Sequence, residues 1–173
     1  MLISLHVKNL ALISETEVNF GGGLNILSGE TGAGKSIIIG SINLALGARA
    51  DKDMIRTGAE YALVELVFQV TDTTMLQEIK ALEIPVEEDG VIIIQRKIQP
   101  SRNLFRICGE TVTAKQIKAL SELLIDIHGQ HEHQSLLYKK NHMEILDSFA
   151  GEALAAVKEE LRESYQLYTQ LKR

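Results

Sequence analysis

Alternation of apolar and polar residues, which is typical of strands with one buried face, recurs along the first two thirds of the chain. It predicts strands over residues 2–8, 12–20, 61–70, 91–98 and 103–108. The first two are joined at Asn9-Leu10-Ala11, and the last two form a hairpin across a Pro100-Ser101 turn. Apolar runs at 24–27 and 125–127 are expected to add two shorter strands.

Apolar residues spaced three and four apart predict helices elsewhere in the chain. A helix over 35–46 is apolar nearly all round, so we expect it to be buried against the sheet. Asp72 or Thr73 can cap a short helix, and Thr113 can cap another. From residue 151 the spacing becomes that of a heptad a/d seam. The seam consists of Leu154, Val157, Leu161, Ser164, Tyr168 and Leu171.

These elements predict an α/β protein with a lobe over 1–150 and the start of a coiled-coil arm over 151–173. An amphipathic helix that packs on its own domain would show a similar pattern over so few heptads. The heptad pattern has no obvious C-cap at its end, so we expect either the chain or a partner to continue the coil.

The segment between the 24–27 run and the first helix matches the pattern G-x-x-x-x-G-K-[ST] of a phosphate-binding P-loop. Its residues are Gly29, Glu30, Thr31, Gly32, Ala33, Gly34, Lys35 and Ser36. The glycines allow successive backbone N–H groups to point inward around phosphate oxygens. Lys35 can bind the β- and γ-phosphates, and the Ser36 hydroxyl is placed to ligate Mg²⁺. The sequence therefore predicts a site for a nucleoside triphosphate.

The composition indicates the class of protein but points to no further functional residue. The chain has 173 residues, of which 45% are hydrophobic and 24% charged, as in an ordinary globular domain. Its net charge of −5 means that nucleic-acid binding would need a local basic patch. A single cysteine, Cys108, excludes an internal disulfide. With no secretory signal and no membrane span in view, we expect a cytoplasmic protein that does not contact a membrane.

The usual second carboxylate pair of an ATPase site is not visible in the sequence. Asp126 is the nearest candidate, and with it the chain would be a self-contained small P-loop NTPase. His128, His131 and His133, with Glu132, offer a different possibility, namely a structural metal site.

Four basic residues and no acid occupy the predicted hairpin between residues 95 and 106. They are Arg96, Lys97, Arg102 and Arg106. From the sequence, a solvated hairpin face is the first explanation for them. The functional alternative is a contact with the DNA backbone, which needs positive charge but no base-reading groups.

Taken in order, these motifs resemble the N-terminal half of the head domain of the RecN family, bacterial DNA-repair ATPases of the SMC-like class. The resemblance covers the whole chain and is most specific at residues 25–48 and 126–136. Glu30 and Thr31 favour this family over the chromosome-condensing relatives, which tend to have Asn-Gly where this chain has Thr31-Gly32.

The resemblance implies a head of the ABC/SMC type, with a mixed sheet around the P-loop helix and an antiparallel coiled coil. It implies ATP and Mg²⁺ as ligands, and a site shared by two heads of a homodimer that acts on DNA at the nucleoid. Gln130 would be the Q-loop glutamine that touches Mg²⁺ and water. Arg56 would be the arginine-loop residue that senses nucleotide or contacts DNA.

Walker B, the signature motif and the returning coil belong to the C-terminal half of such heads, and this chain contains none of them. We therefore expect a fragment that binds nucleotide poorly and scarcely hydrolyses it alone. Two alternatives stay open, a nucleotide-binding domain of an ABC transporter and a non-enzymatic scaffold whose function lies in the coil. The heptad helix in place of a Leu-Ser-Gly-Gly run argues against the transporter, and the intact Lys35 and Ser36 argue against the scaffold.

Overall fold

A computed structural model of the protein describes residues 1–28, 34–86, 89–127, 139–150 and 152–172. The chain forms two compact units, Met1–Asp126 and Ile127–Arg173. The first unit contains the sheet and the P-loop helix, and the second contains the two C-terminal helices.

The first unit is built on a six-stranded sheet. Its strands are β1 (Leu2–Leu10), β2 (Ile13–Asn19), β3 (Ala62–Gln69), β4 (Val91–Ile98), β5 (Asn103–Ile107) and β6 (Glu110–Val112). They lie in the order β2-β1-β3-β4-β5-β6. Each of these neighbouring pairs is antiparallel. The five long strands follow the predicted alternation, and β6 is an addition.

One face of this sheet, which we call the inner face, forms the core. Side chains of β3 and β4 alternate between buried and half-buried along each strand, and β1 adds the buried Leu5, Val7 and Leu10. In one row across the sheet Leu5 lies opposite Leu66, and Leu66 lies opposite Ile94; all three are completely buried. Burying one such side chain contributes roughly 1.5–3 kcal/mol. The period-two pattern of the sequence is therefore the pattern of the core.

Three helices accompany the sheet in this unit, α1 (Gly34–Ala45), α2 (Thr73–Ala81) and α3 (Ala114–Leu124). The Asp72 side chain accepts from the backbone N–H groups of Thr74 and Met75, as an N-cap should. Thr113 and Gln116 form a reciprocal capping box at the start of α3. Both predicted caps are confirmed.

The P-loop helix α1 is less buried than its apolar sequence predicts. Only Ser41, Leu44 and Ala45 are buried within it, whereas Ile39 is 47% exposed. The helix makes its main contacts with β3 and β4. The helix therefore packs against the sheet as expected, but only its second half is buried.

Two predicted short strands are not formed. Residues 24–27 lie outside the sheet, and Leu24 and Ile26 are 87% and 77% exposed. A strand needs a hydrogen-bonded neighbour, and no described strand lies beside this segment. Residues 125–127 are also irregular, since the Ile125 N–H is used to end α3 on the carbonyl of Ser121.

The second unit contains α4 (Lys139–Ala150) and α5 (Glu152–Leu171), which contact each other. Lys158 on α5 pairs with Asp147 on α4 at 2.6 Å. The helix predicted from the heptad pattern is thus α5, whereas α4 was not anticipated. The seam residues Val157, Leu161 and Leu171 are 58%, 67% and 79% exposed.

None of the helices within the described ranges combines the length and the apolar character needed to cross a lipid bilayer.

The turn before β4 requires glycine at position 90, and this requirement can be tested. Gly90 has φ +71°, and a Cβ at this position would collide with the backbone oxygen of Val70. Gly58 also has a positive φ, +86°, but open space around it. We predict that Gly90→Ala lowers the free energy of unfolding by more than ~2 kcal/mol, because left-handed backbone for alanine costs roughly 1–2 kcal/mol before any clash.

The matched variant Gly58→Ala carries the backbone cost alone and should lose only about 1 kcal/mol. Urea unfolding of the chain, followed by circular dichroism, measures both variants. Equal losses in the two variants would show that the Val70 carbonyl does not constrain position 90.

Candidate nucleotide-binding site

Three residues of the glycine-rich motif lie within the described residues, at the start of α1. Gly34 is the first residue of the helix, and Lys35 and Ser36 follow in its first turn. The N–H groups of a first helical turn have no partner within the helix and carry a partial positive charge. Lys35 is half-buried and Ser36 is exposed. The motif positions Gly29, Glu30, Thr31, Gly32 and Ala33 lie outside the described residues.

An open cavity of about 380 Å³ lies beside this helix start. Its walls come from β2, from the segment before the glycine-rich loop and from α1. The lining residues are Ile13, Thr16, Leu27, Ser28, Gly34, Lys35 and Ile38. Lys35, Thr16 and Ser28 give polar contacts, while Ile13, Leu27 and Ile38 give an apolar wall. Such a cavity can take an anionic group at the helix start and a flat apolar group beside it.

Arg56 holds the turn between β1 and β2. Its guanidinium donates to the carbonyl of Leu12 at 2.6 Å, and its backbone N–H donates to the carbonyl of Asn9 at 3.0 Å. The side chain is exposed. The structure thus gives Arg56 a local backbone contact, and a role in sensing nucleotide or contacting DNA stays a prediction.

Three of the four basic hairpin residues are accessible to solvent. Lys97 and Arg106 lie on the outer face of the sheet, opposite the core, and line a shallow pocket of about 200 Å³ with Tyr61. The Lys97 ammonium lies 4.0 Å from the centre of the Tyr61 ring, a cation–π contact. Arg102 is exposed in the turn, where its Nε donates to the side-chain oxygen of Gln99 at 3.0 Å.

Arg96 does not belong to this basic face, and its prediction as a DNA contact was wrong. Its side chain points to the inner face and is only 4% exposed. The guanidinium donates to the carbonyl of Leu44 at 2.5 Å and to the carbonyl of Ala48, and it lies 4.5 Å from the centre of the Phe105 ring. Burial lowers the pKa of Arg96. The alternation of β4 could have revealed this, since Arg96 stands at an inward position between Ile94 and Ile98.

The other end of the outer face is neutralised by ion pairs. Glu15 on β2 lies 3.0 Å from both Lys8 and His6 on β1. The hydrogen bond from Lys8 is the main cause that lowers the pKa of Glu15, and the same bond raises the pKa of Lys8. Positive charge without an acidic partner is therefore concentrated toward β4 and β5, where Lys97 and Arg106 stand.

The remaining predicted residues are not brought into the site by the described structure. Asp126 is exposed after the end of α3 and does not line the cavity beside Lys35. Gln130 and the cluster of His128, His131, His133 and Glu132 lie outside the described residues. Among the residues that are described, no three histidine, cysteine or acidic side chains come together to hold a metal ion.

Comparison with known proteins adds a family and several relatives. The model of the AAA domain family matches residues 4–173. DNA repair protein RecN of Halalkalibacterium halodurans is 41% identical over 100% of this chain and 31% of its own length. DNA repair protein RecN of Bacillus subtilis is 38% identical over 99% of this chain and 30% of its own length. The chain thus spans about three tenths of the length of these relatives.

Solved structures with a similar fold include heads of the SMC class. The Smc head domain of Pyrococcus furiosus, with an extended coiled coil, has a TM-score of 0.62 and 22% identity, covering 99% of this chain and 48% of that one. An SMC ATPase described for ATP-driven dimerization gives a TM-score of 0.59 at 22% identity, covering 70% of this chain and 78% of that one. At this identity the likeness concerns the fold, and it confirms the predicted α/β lobe of the SMC head type.

Proposed function

Because this chain belongs to the AAA domain family, we propose that it is the ATP-binding lobe of an ATPase that acts in DNA repair and recombination. The observation that carries the proposal is the placement of Lys35 and Ser36 in the first turn of α1, beside the open cavity. The names of the relatives support the involvement in DNA repair.

In this proposal the triphosphate binds at the start of α1. The first-turn N–H groups from Gly34 to Ser36 would donate to its oxygens, and Lys35 would contact the β- and γ-phosphates. The exposed hydroxyl of Ser36 suits Mg²⁺, which prefers oxygen ligands and keeps several waters. When bound, Mg²⁺ neutralises charge on the phosphates. The apolar wall of Ile13 and Ile38 lies where the base would stack.

Hydrolysis requires more than this lobe. In the proposed mechanism the C-terminal half of the head supplies the carboxylates, and a second head of a homodimer supplies contacts to the γ-phosphate. As the resemblance implies, Gln130 would contact Mg²⁺ and the attacking water, and Arg56, at the β1–β2 turn, would respond to the nucleotide. The protein would act in the cytoplasm, at the nucleoid, with α5 as the start of its coil.

We predict that Lys35→Ala weakens the binding of MgATP to this chain by ~10- to 100-fold, since a charge-assisted hydrogen bond contributes roughly 1.5–3 kcal/mol. Isothermal titration calorimetry on the chain measures this. Lys118→Ala, which removes an exposed lysine from α3, is the matched control and should bind like the wild type. The assignment of Lys35 fails if both variants bind MgATP with the same affinity.

DNA, in this proposal, lies against the outer face of the hairpin. Lys97, Arg102 and Arg106 supply positive charge. Contact with the phosphate backbone needs such charge but no group that reads bases, so it can occur at any DNA sequence. Their neighbour Tyr61 holds the Lys97 ammonium over its ring, which limits the freedom of that side chain. Arg96 takes no part because it is buried.

Replacing Lys97, Arg102 and Arg106 together by glutamine should flatten the slope of log affinity against log salt. Each lost phosphate contact reduces the slope by about 0.9 for duplex DNA, so the triple variant should lose roughly 2–3 units. Fluorescence anisotropy with duplexes of several sequences, each at several salt concentrations, measures the slope.

The control removes the same charge elsewhere on the first unit, with Lys80, Lys115 and Lys118 replaced by glutamine. These three lysines are exposed on α2 and α3. A slope that falls equally in both triple variants would point to general attraction by net charge, and an unchanged slope in the hairpin variant would make this hairpin a solvated face.

A further inference from the structure

Arg96 is the basic residue that the function proposed above leaves unused. It is the one charged side chain among the buried residues of the described structure. Its two neighbours along β4, Gln95 and Lys97, are half-buried on the outer face. Its Nε has no hydrogen-bond partner among the described residues, so the contacts of its guanidinium are the two bonds to Leu44 and Ala48 and the stacking on Phe105.

Both carbonyl acceptors of Arg96 belong to the C-terminal end of the P-loop helix. Leu44 lies in the last turn of α1, and Ala48 lies three positions after the final helical residue, Ala45. The carbonyls of a last helical turn lack partners within the helix and carry a partial negative charge. The planar guanidinium donates to both acceptors and places its positive charge at this end. Arg96 therefore joins the end of α1 to the middle of the sheet.

The contacts of α1 with the core are concentrated at the same end. Its buried residues, Ser41, Leu44 and Ala45, all lie in the second half of the helix. The first half, which contains Lys35 and Ser36, has no buried residue. A helix of 12 residues is about 18 Å long, so a small tilt at the anchored end displaces the phosphate-binding end by more than it displaces the anchor.

We infer that Arg96 is a positioning residue for the nucleotide site. By fixing the C-terminal end of α1 on β4, it sets the position of Gly34, Lys35 and Ser36 toward the triphosphate, although it lies a helix length away from them. This inference rests on the proposed function, because it concerns the same phosphate site. It adds a residue outside the P-loop on which the affinity of that site depends.

The test compares Arg96→Met, Arg96→Lys and the control Ile79→Val in the chain as it stands. Ile79 is fully buried in α2, which makes its helix contacts with α3, so its substitution perturbs the core away from α1. Arg96→Met should weaken MgATP binding by up to ~10- to 100-fold, the range expected when the charge-assisted phosphate contact of Lys35 is lost. Arg96→Lys retains the charge and should lose less, and Ile79→Val should bind like the wild type.

A second readout does not depend on nucleotide. Amide hydrogen exchange in residues 38–41 of α1 should become faster in Arg96→Met, while exchange in α2 stays unchanged. Stability alone does not discriminate, since loss of the guanidinium leaves the carbonyls of Leu44 and Ala48 without their donor and lowers the free energy of unfolding whether or not α1 moves. Should Arg96→Met fail to fold, the MgATP affinity of Arg96→Lys is compared with that of Ile79→Val. Weaker binding by Arg96→Lys supports the inference, and equal binding contradicts it.

The inference is overturned if Arg96→Met, folded, binds MgATP as Ile79→Val does, or if exchange in α1 is the same as in the wild type. The proposed function has its own outcome. A wild-type chain that binds no MgATP even when joined to the C-terminal half of its head contradicts the ATP site, and the exchange measurement then still decides whether Arg96 anchors α1.

Discussion

The burial of the inner face of an antiparallel sheet is the constraint on which the first unit depends. Apart from Arg96, the buried residues of β1, β3 and β4 on this face are apolar, and α1 lies against β3 and β4. An amphipathic sheet of this kind can leave its other face to solvent. The core therefore holds the C-terminal end of α1 on the inner side of the sheet, while Lys97 and Arg106 stand on the outer face.

Local patterns predicted most of this fold. Alternation located five strands, and Asp72 and Thr113 marked two helix starts, because strands and caps are read from neighbouring residues. The predicted strand at 24–27 is absent because a strand also needs a partner, which no local pattern supplies. The helix α4 was missed since its apolar residues did not stand out as a periodic stripe, and no cap signal was recognised before Lys139.

In the candidate site, too, features formed by neighbouring residues were predictable and those that depend on distant residues were not. The motif with Lys35 and Ser36 is recognisable because phosphate binding needs consecutive backbone groups, and consecutive residues are what a sequence displays. Arg96 was misassigned because its charge was counted with its neighbours, whereas the partner carbonyls of Leu44 and Ala48 lie about fifty positions earlier. A buried guanidinium needs hydrogen-bond acceptors, and here the acceptors are distant in sequence and come close only in the folded chain.

The alternation of β4 also limits which insertions and deletions this part of the chain can accept. Along three consecutive positions, Gln95 and Lys97 face outward and Arg96 faces inward. Adding or removing one residue within the strand would reverse all three at once, carrying two polar side chains into the core and the guanidinium into solvent. Length variation among homologous chains should therefore be confined to the turn between β4 and β5. Ser101 and Arg102 are exposed there and do not alternate between a buried and an exposed face.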